Sequence, residues 1–416
     1  MVQIKNMNEI PLLSIVIPTR NRFNYVRFAI KSILRIPCHG IQLIIEDNSD
    51  TNECELWIKE NIFDDRLIYH YSQKPISMRE NYDRAIANVT GEYCCLIGDD
   101  DGVNPEIVNA VNWAKENHLD AIVPINSLHY VWPDLVLPAA GAISPGELRI
   151  GAFIGKISFP NVEEEILKCI QDAGQKFHDL PKVYYGIIKT DCMYKVKEKT
   201  GTFFPGISPD IAIAISCANF VNKMCLIDYP LFVPGSSLKS NAGLSGLGKH
   251  KGLLKDQSHL PDNCEETWSN IVPPFYSVET VWAESTVQAI IALGRMDILG
   301  QFNVPKLYSE LVMWHFDFFP LIFNSFFGAL KETGRNKVSG IFQFIKYFSF
   351  LGLLRFYSLL NRFNRTSKLT VKPHISCLNN IDEAVLSFVE YLKNEGIRFE
   401  SIKLDLSDLY KNQTGK

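Results

Sequence analysis

Short apolar runs, each closed by a polar cluster, set the rhythm of the first third of the chain. Residues 12–18 (LLSIVIP), 41–47 (IQLIIED), 67–71, 93–97 (YCCLI) and 120–125 are brief, largely continuous apolar stretches bounded by turn residues. That is the pattern of strands buried on both faces. Helical patterns fill the gaps at 24–35, 53–61, 77–87 and 105–117, with Ser77 as a cap and Pro105 suited to a first turn. Strands and helices alternating at this spacing predict βαβ units: an α/β, Rossmann-like, mainly parallel sheet flanked by helices.

Farther along, the pattern loosens into Pro, Gly and Ala from 132 to 155, which reads as a crossover or lid. A short helix is expected at 166–172, a strand at 180–189 (LPKVYYGIIK), an apolar helix from 210 to about 221 and a strand at 224–233. Residues 235–251 form a Ser/Gly/Lys loop of the kind that closes over phosphate groups. After residue 253, helical periodicity dominates at 277–299, 306–330 and 382–395. The expected organisation is therefore an α/β domain at 1–253, with halves 1–125 and 126–253, followed by a mostly helical region at 254–416.

Composition narrows the function. A net charge of -4 over 416 residues gives no global reason to expect a nucleic-acid partner. Ten cysteines without metal spacing, and a polar start at residues 1–10 without a secretory signal, point to a cytoplasmic setting. No G-x-G-x-x-G follows a strand and no Walker A lysine is present, which disfavours nicotinamide, flavin and P-loop chemistry. One segment departs from the average. Between residues 321 and 372 there are nine Lys or Arg against one acid, Glu332, with phenylalanines interleaved. It is similar to an amphipathic helix lying on a membrane surface; a packed helical subdomain with a solvated basic face reads equally well. Its helices also offer a surface for a homo-oligomer.

The candidate chemistry lies at the strand ends. Asp99, Asp100 and Asp101 follow the fourth strand, where an open α/β sheet binds its ligands. Three crowded carboxylates call for a cation between them, and hard oxygen donors suit Mn²⁺ or Mg²⁺ with substrate phosphates. An acidic cap on the next helix is the plainer alternative. Pro18, Thr19, Arg20 and Arg22 follow strand one, Asp47 and Asn48 follow strand two, and Arg79 and Asn81 open a helix. With the motifs SIVIPTRNR (14–22), IIEDNS (44–49), SMRENYDRAI (77–86) and LIGDDD (96–101), the first 250 or so residues resemble the family 2 glycosyltransferases of the GT-A fold. The chain departs from that family's Asp-x-Asp-Asp pattern: Gly98 stands where the first Asp belongs.

The resemblance implies an inverting transfer of a sugar from a nucleotide-diphosphate sugar to a glycan or lipid-linked acceptor, in cell-surface polysaccharide synthesis. It implies that residues 18–22 and Asp47 line base and ribose, that Arg79 and Asn81 support the diphosphate pocket, and that Asp99 and Asp100 contact ribose, sugar or metal-bound water. The ion would fall to Asp101, with Asp99 and with His250 from the loop. Ser208-Pro209-Asp210 opens an apolar helix where the family places its base, which makes Asp210 the candidate; a helix cap is the alternative. Lys239, Lys249 and Lys251 could close on the diphosphate, and Tyr184 and Tyr185 could wall an acceptor site. A nucleotidyltransferase is the nearest rival, although residues 18–22 lack the glycine-rich loop it needs. A non-catalytic sugar-nucleotide or glycan-binding module is the other.

Overall fold

The computed structural model describes residues 10–74, 76–125, 127–137, 143–240, 251–257, 260–261, 263–364 and 373–401. The expected strands form: β1 (Leu13–Thr19), β2 (Ile41–Asp47), β3 (Leu67–Tyr71), β4 (Tyr93–Leu96) and, after Gly102–Val103 (β5), β6 (Ala121–Pro124). The helices between them are α1 (Phe23–Leu34), α2 (Glu53–Asn61), α3 (Met78–Ala87) and α4 (Ile107–Glu116). Ser77 caps α3 by accepting from the Glu80 amide, as its position predicts. β7 (Leu128–Val131) pairs with β8 (Glu147–Ile150) in a side sheet, so the loose stretch after residue 132 contains a strand.

β3, β2, β1 and β4 lie side by side in parallel. Beyond β9 (Ile157–Ser158) and α5 (Val162–Gln171) comes β10 (Ile187–Lys189), wedged antiparallel between β4 and β6. The main sheet has eight strands in the order β3-β2-β1-β4-β10-β6-β11-β9, where β11 is Met224–Ile227. Residues one apart on a strand point to opposite faces. Ile15 and Ile17 of β1 accordingly join one core with α1 and α4, while Val16 joins another beneath α3 and α6 (Thr190–Thr200). Both faces are covered, which is why these strands read as unbroken apolar runs.

Several expectations shift. Only the last three residues of the 180–189 stretch are strand, and helix α6 follows at once. The 224–233 stretch divides at Pro230, which has no N–H to give a ladder, into β11 and the short β12 (Phe232–Val233). β13 (Gly235–Ser236) then pairs with β7. The 306–330 periodicity is two helices, Val304–Trp314 and Phe319–Glu332, the second starting with Pro320 in its first turn.

The division at residue 253 is not where the packing divides. A helical core does gather Val278–Leu293, Val304–Trp314 and Phe319–Glu332, yet α5 and α7 (Pro209–Ala218) belong to it too. The chain then returns. The helix Ile381–Asn394 places Ile381, Ala384, Val385 and Phe388 in the core of β1, α1 and α4. Gly102 meets it so closely that a Cβ there would strike Val385. His374–Ile375 adds a strand beside β8.

Candidate active site

β1, β2 and β4 end at one edge of the sheet, and their polar C-terminal residues meet there. A cleft of about 340 Å³ opens at that edge, lined among others by Thr19, Asn48, Asn81, Asp99, Asp100 and Tyr184. Pro18, Arg20 and Arg22 line it as well, as the sequence leads one to expect. The position follows from topology: the loops after parallel strands share one edge, so residues from 19 to 100 converge without touching in sequence.

At the centre is a buried carboxylate–guanidinium cluster. Arg22 Nε lies 2.6 Å from Asp99 Oδ1, and its Nη2 lies 2.9 Å from Asp100 Oδ2. Nη2 also donates to Ser237 Oγ at 3.0 Å, and that hydroxyl donates to Asp100 Oδ2 at 2.6 Å. Thr19 Oγ1 donates to Asp99 Oδ2 at 2.6 Å. The guanidinium stacks over the Tyr25 ring, 4.7 Å from its centre. Burial works against the Arg22 charge, but Asp99 and then Asp100 outweigh it and hold the group protonated more firmly than an ordinary arginine. Burial also pushes the Asp99 carboxyl up, with Arg22 pulling the other way.

Asp101 does different work. Its Oδ2 accepts from the Gly98 amide at 2.6 Å and from the Tyr184 hydroxyl at 3.3 Å, and its Oδ1 accepts from the Gly235 amide at 2.7 Å. It therefore ties the loop after β4 to the loop after β12. Burial, then the Asp100 charge, push its carboxyl up to about 7. Gly98 explains itself here: a Cβ would lie 2.8 Å from Asp101 Oδ2 and 2.9 Å from the Tyr184 oxygen. An Asp at this position would have to push both groups aside.

Tyr184 and Tyr185 are brought to the cleft by backbone bonds to the end of β4, Leu96 N–H to Val183 O at 2.8 Å and Tyr185 N–H to Leu96 O at 3.1 Å. Their rings meet edge-on at 4.5 Å. Tyr185 has φ +53°, a left-handed backbone that costs an aromatic residue on the order of 1–3 kcal/mol and is typical of functional sites. Asn81 is buried; its Nδ2 reaches the carbonyls of Thr19 and Glu46, while its Oδ1 has no partner among the described residues. A buried amide oxygen at a cleft wall is a ready acceptor.

Asp210 sits in the first turn of α7, partly buried, accepting from the Ser208 hydroxyl and from the Ile211 amide at 2.9 Å. Burial raises its carboxyl above the ordinary range, against those two donors. Tyr82 of α3 lines the cleft. Burial and then the charges of Asp210, Asp99 and Asp101 disfavour its ionisation, so all three carboxylates lie within electrostatic reach of it, although Asp210 itself does not line the cleft.

Other expected residues fall elsewhere. Asp47 is fully buried, with Oδ1 taken by the Ser49 amide and hydroxyl and Oδ2 by Tyr69 at 2.8 Å, so it shapes the loop after β2 and does not face the cleft. Arg79 opens α3 but is not in the cleft lining. Lys251 pairs with Asp317, while Lys239 does reach the cleft. His250 and Lys249 lie outside the described residues. Ser237, Tyr82 and Gly235 were not singled out by sequence; Ser237 lies in the Ser/Gly/Lys loop, whose phosphate-type composition was the available signal.

The donors test the expected divalent ion. Among the described residues no three His, Cys, Asp or Glu side chains form a ready metal cage. Asp101 and Asp99 have both oxygens engaged, and Arg22 stands between Asp99 and Asp100. Asp100 Oδ1 has no protein partner among the described residues. One carboxylate plus substrate phosphates is a normal setting for Mg²⁺, so the residues fit an ion shared with a diphosphate and not one held by protein alone.

A parallel sheet whose carboxyl edge bears a cleft of carboxylates, guanidinium and amide groups defines an α/β domain built to take a polar ligand at that edge. Residues 14–131, which hold β1 to β7, match the model of glycosyl transferase family 2. Over this segment the chain is similar to that family. It is 31% identical over 146 residues to an uncharacterized glycosyltransferase of Rickettsia felis, a match spanning 31% of this chain and 23% of the relative. The chain thus spans about a quarter of that relative's length. Residues 1–349 of S. aureus TarS align at a TM-score of 0.42 with 12% identity, covering 77% of this chain and 88% of that one. The TarS structure in complex with UDP-GlcNAc gives 0.41 and 14%, covering 78% and 93%.

Proposed function

We propose that this chain is an inverting glycosyltransferase that moves a sugar from a nucleotide-diphosphate sugar to a glycan or lipid-linked acceptor in cell-surface polysaccharide synthesis. The observation that carries the reading is the cleft at the carboxyl edge of the family-matched sheet, lined by Asp99 and Asp100, which Arg22 fixes, and by Tyr82; Asp210, the candidate base, lies outside that lining and within electrostatic reach of Tyr82.

The donor's ribose and diphosphate would sit against Thr19, Asn48, Asp99 and Asn81, whose buried side-chain oxygen lacks a protein partner among the described residues. Lys239, exposed at the cleft, and Arg20 supply positive charge where the diphosphate departs. A Mn²⁺ or Mg²⁺ ion would be held by Asp100 and the donor phosphates, and when bound supplies Lewis-acid neutralisation of the leaving group. Asp210 takes the proton from an acceptor hydroxyl as that oxygen bonds to the anomeric carbon. The bond from that carbon to the diphosphate oxygen breaks on the opposite face, and the nucleoside diphosphate leaves with its electron pair. Burial of Asp210 raises its affinity for that proton, which suits a base. Tyr184 and Tyr185 form an aromatic wall on which an acceptor sugar can stack.

The test is a panel of nucleotide-diphosphate sugars read by thermal stabilisation, with and without Mn²⁺, because a ligand that binds only the folded state raises stability with occupancy. At least one donor should stabilise the chain and be turned over with an added acceptor glycan. Stabilisation without turnover by any acceptor would favour a binding module, and release of pyrophosphate would favour a nucleotidyltransferase.

A further inference from the structure

The helices after residue 300 carry an exposed apolar surface that their own packing does not use. Sixteen of the twenty-eight exposed large hydrophobic side chains among the described residues fall between 314 and 359. They form two stripes. Phe316, Phe319, Phe323 and Phe327 are spaced three or four residues apart, the interval of one helix face, and Phe319 stacks on Phe323. The second stripe runs along the helix Lys337–Asn364, where Phe342 is 72% and Phe350 57% exposed. Lys337 lies over the Phe327 ring at 5.8 Å and Phe344 packs on Phe326 at 5.5 Å, so the stripes belong to one surface.

The long helix is held by its inner side only. The Phe344 carbonyl accepts from the Ser309 hydroxyl and the Tyr347 hydroxyl oxygen accepts from the Asn303 amide, both on the body of the helical core. From 353 to 359 every residue is exposed, although the sequence there is Leu-Leu-Arg-Phe-Tyr-Ser-Leu. A helix apolar on all sides is normally buried, and a patch of this extent on a soluble chain marks an interaction surface. The helix is not long and apolar enough to cross a bilayer.

Charge selects the occupant. Residues 314–359 carry Lys331, Arg335, Lys337, Lys346 and Arg355 against Asp317 and Glu332, a net of +3 in a chain whose total is -4, and Asp317 is itself paired with Lys251. Lysine is depleted in the apolar centre of protein–protein interfaces. Aromatic and aliphatic side chains among cations on flexible stems are instead the composition of a helix lying in the headgroup layer of an anionic bilayer, the stems reaching outward to phosphates. We propose that the surface formed by residues 314–359 docks this protein onto the face of an anionic lipid membrane. This inference stands apart from the sugar-transfer reading, and its test does not measure transfer.

The experiment is co-sedimentation of the full chain with vesicles of phosphatidylglycerol and phosphatidylcholine, beside vesicles of phosphatidylcholine alone. The protein should pellet with the anionic vesicles, less so at high salt, and far less with the neutral ones. Phe342→Glu with Phe350→Glu should weaken binding roughly tenfold or more, since two buried apolar side chains are lost, with circular dichroism and melting unchanged. Should that variant misfold, Lys346→Glu with Arg355→Glu, both on exposed positions, should weaken the anionic binding by itself. A wild-type chain that stays in the supernatant overturns the proposal, as does equal binding to both vesicle types. A dimer in analytical ultracentrifugation that these substitutions dissolve, with no vesicle binding, would instead assign the surface to a second copy.

Discussion

Arg22 and Asp99 form a buried ion pair, 2.6 Å between Nε and Oδ1, that joins the loop after the first strand to the loop after the fourth. The same guanidinium holds Asp100 at 2.9 Å, so one cation fixes two carboxylates at the cleft wall. Removing one partner of a buried pair leaves the other charge uncompensated and costs about 3–5 kcal/mol. Arg22→Gln should therefore lower the melting temperature markedly. Adding Asp99→Asn should recover part of the loss, and added Mn²⁺ should stabilise the single variant more than the wild type. Thermal unfolding of the three proteins with and without the ion checks this. An Arg22→Gln chain that melts like the wild type would show that the pair does not hold the site together.

Gly98 replaces the acid expected at the start of the family motif, and a side chain there would have to displace the Asp101 carboxylate and the Tyr184 hydroxyl. Gly98→Asp restores the motif on paper but drives a side chain into Asp101 Oδ2 and the Tyr184 hydroxyl. Overpacking of this kind costs about 1–3 kcal/mol. The variant should melt lower and bind donor more weakly than wild type. Gain of activity would mean that the loop after β4 can be rearranged freely.

Asp210 gives a pH signature. Its folded carboxyl sits above the unfolded value because it is buried, so the native state keeps the proton to higher pH than the unfolded chain does. Stability is therefore lost as pH rises from the ordinary carboxylate range through the raised folded value, and the loss persists above it. Asp210→Asn keeps an acceptor oxygen for Ser208 and Ile211 while removing the charge. It should melt higher than wild type at neutral pH, with the gain vanishing at acid pH, and should lose about 10²–10⁴-fold in transfer rate while donor affinity holds. The acid limb of wild-type activity should lie above the pH at which an exposed aspartate titrates. Unchanged turnover in Asp210→Asn would remove it from the role of base.

Phe388, near the C-terminal end of the chain, is fully buried against the first core. Phe388→Ala should cost about 3–5 kcal/mol and should weaken donor binding although no part of it touches the cleft. Melting and donor titration on the same protein separate this from a local effect on the last helix, which would leave donor affinity intact.

The parallel half of the sheet was legible because its strands are buried on both faces. Ile15, Val16 and Ile17 alternate between two cores, so the run stays apolar whichever way each side chain points. The cleft's location followed from the polar clusters after those strands. Less was legible where a residue's role depends on a partner far along the chain. Nothing near Asp47 in sequence says that Tyr69 will take its second oxygen, nor does the sequence around Asp101 say that an amide 134 residues later will hold it. β10 was overestimated because Tyr184 and Tyr185 carry strand propensity, whereas Tyr185 adopts a positive φ that leaves the ladder. The closing helix showed its amphipathic pattern but not which core it covers, since periodicity gives a face and no address.

That closing helix bears on how the protein comes into being. As the chain is made, the parallel strands emerge first, and N-terminal units generally start folding during synthesis. Here the groove between α1 and β5 stays uncovered until Ile381–Asn394 has been made. Folding of the first half is thus completed by a helix that follows the whole helical core in the chain. A product cut short before residue 381 would carry a bare apolar groove of the kind chaperones and proteases recognise, so the arrangement distinguishes copies that hold this helix from copies that lack it.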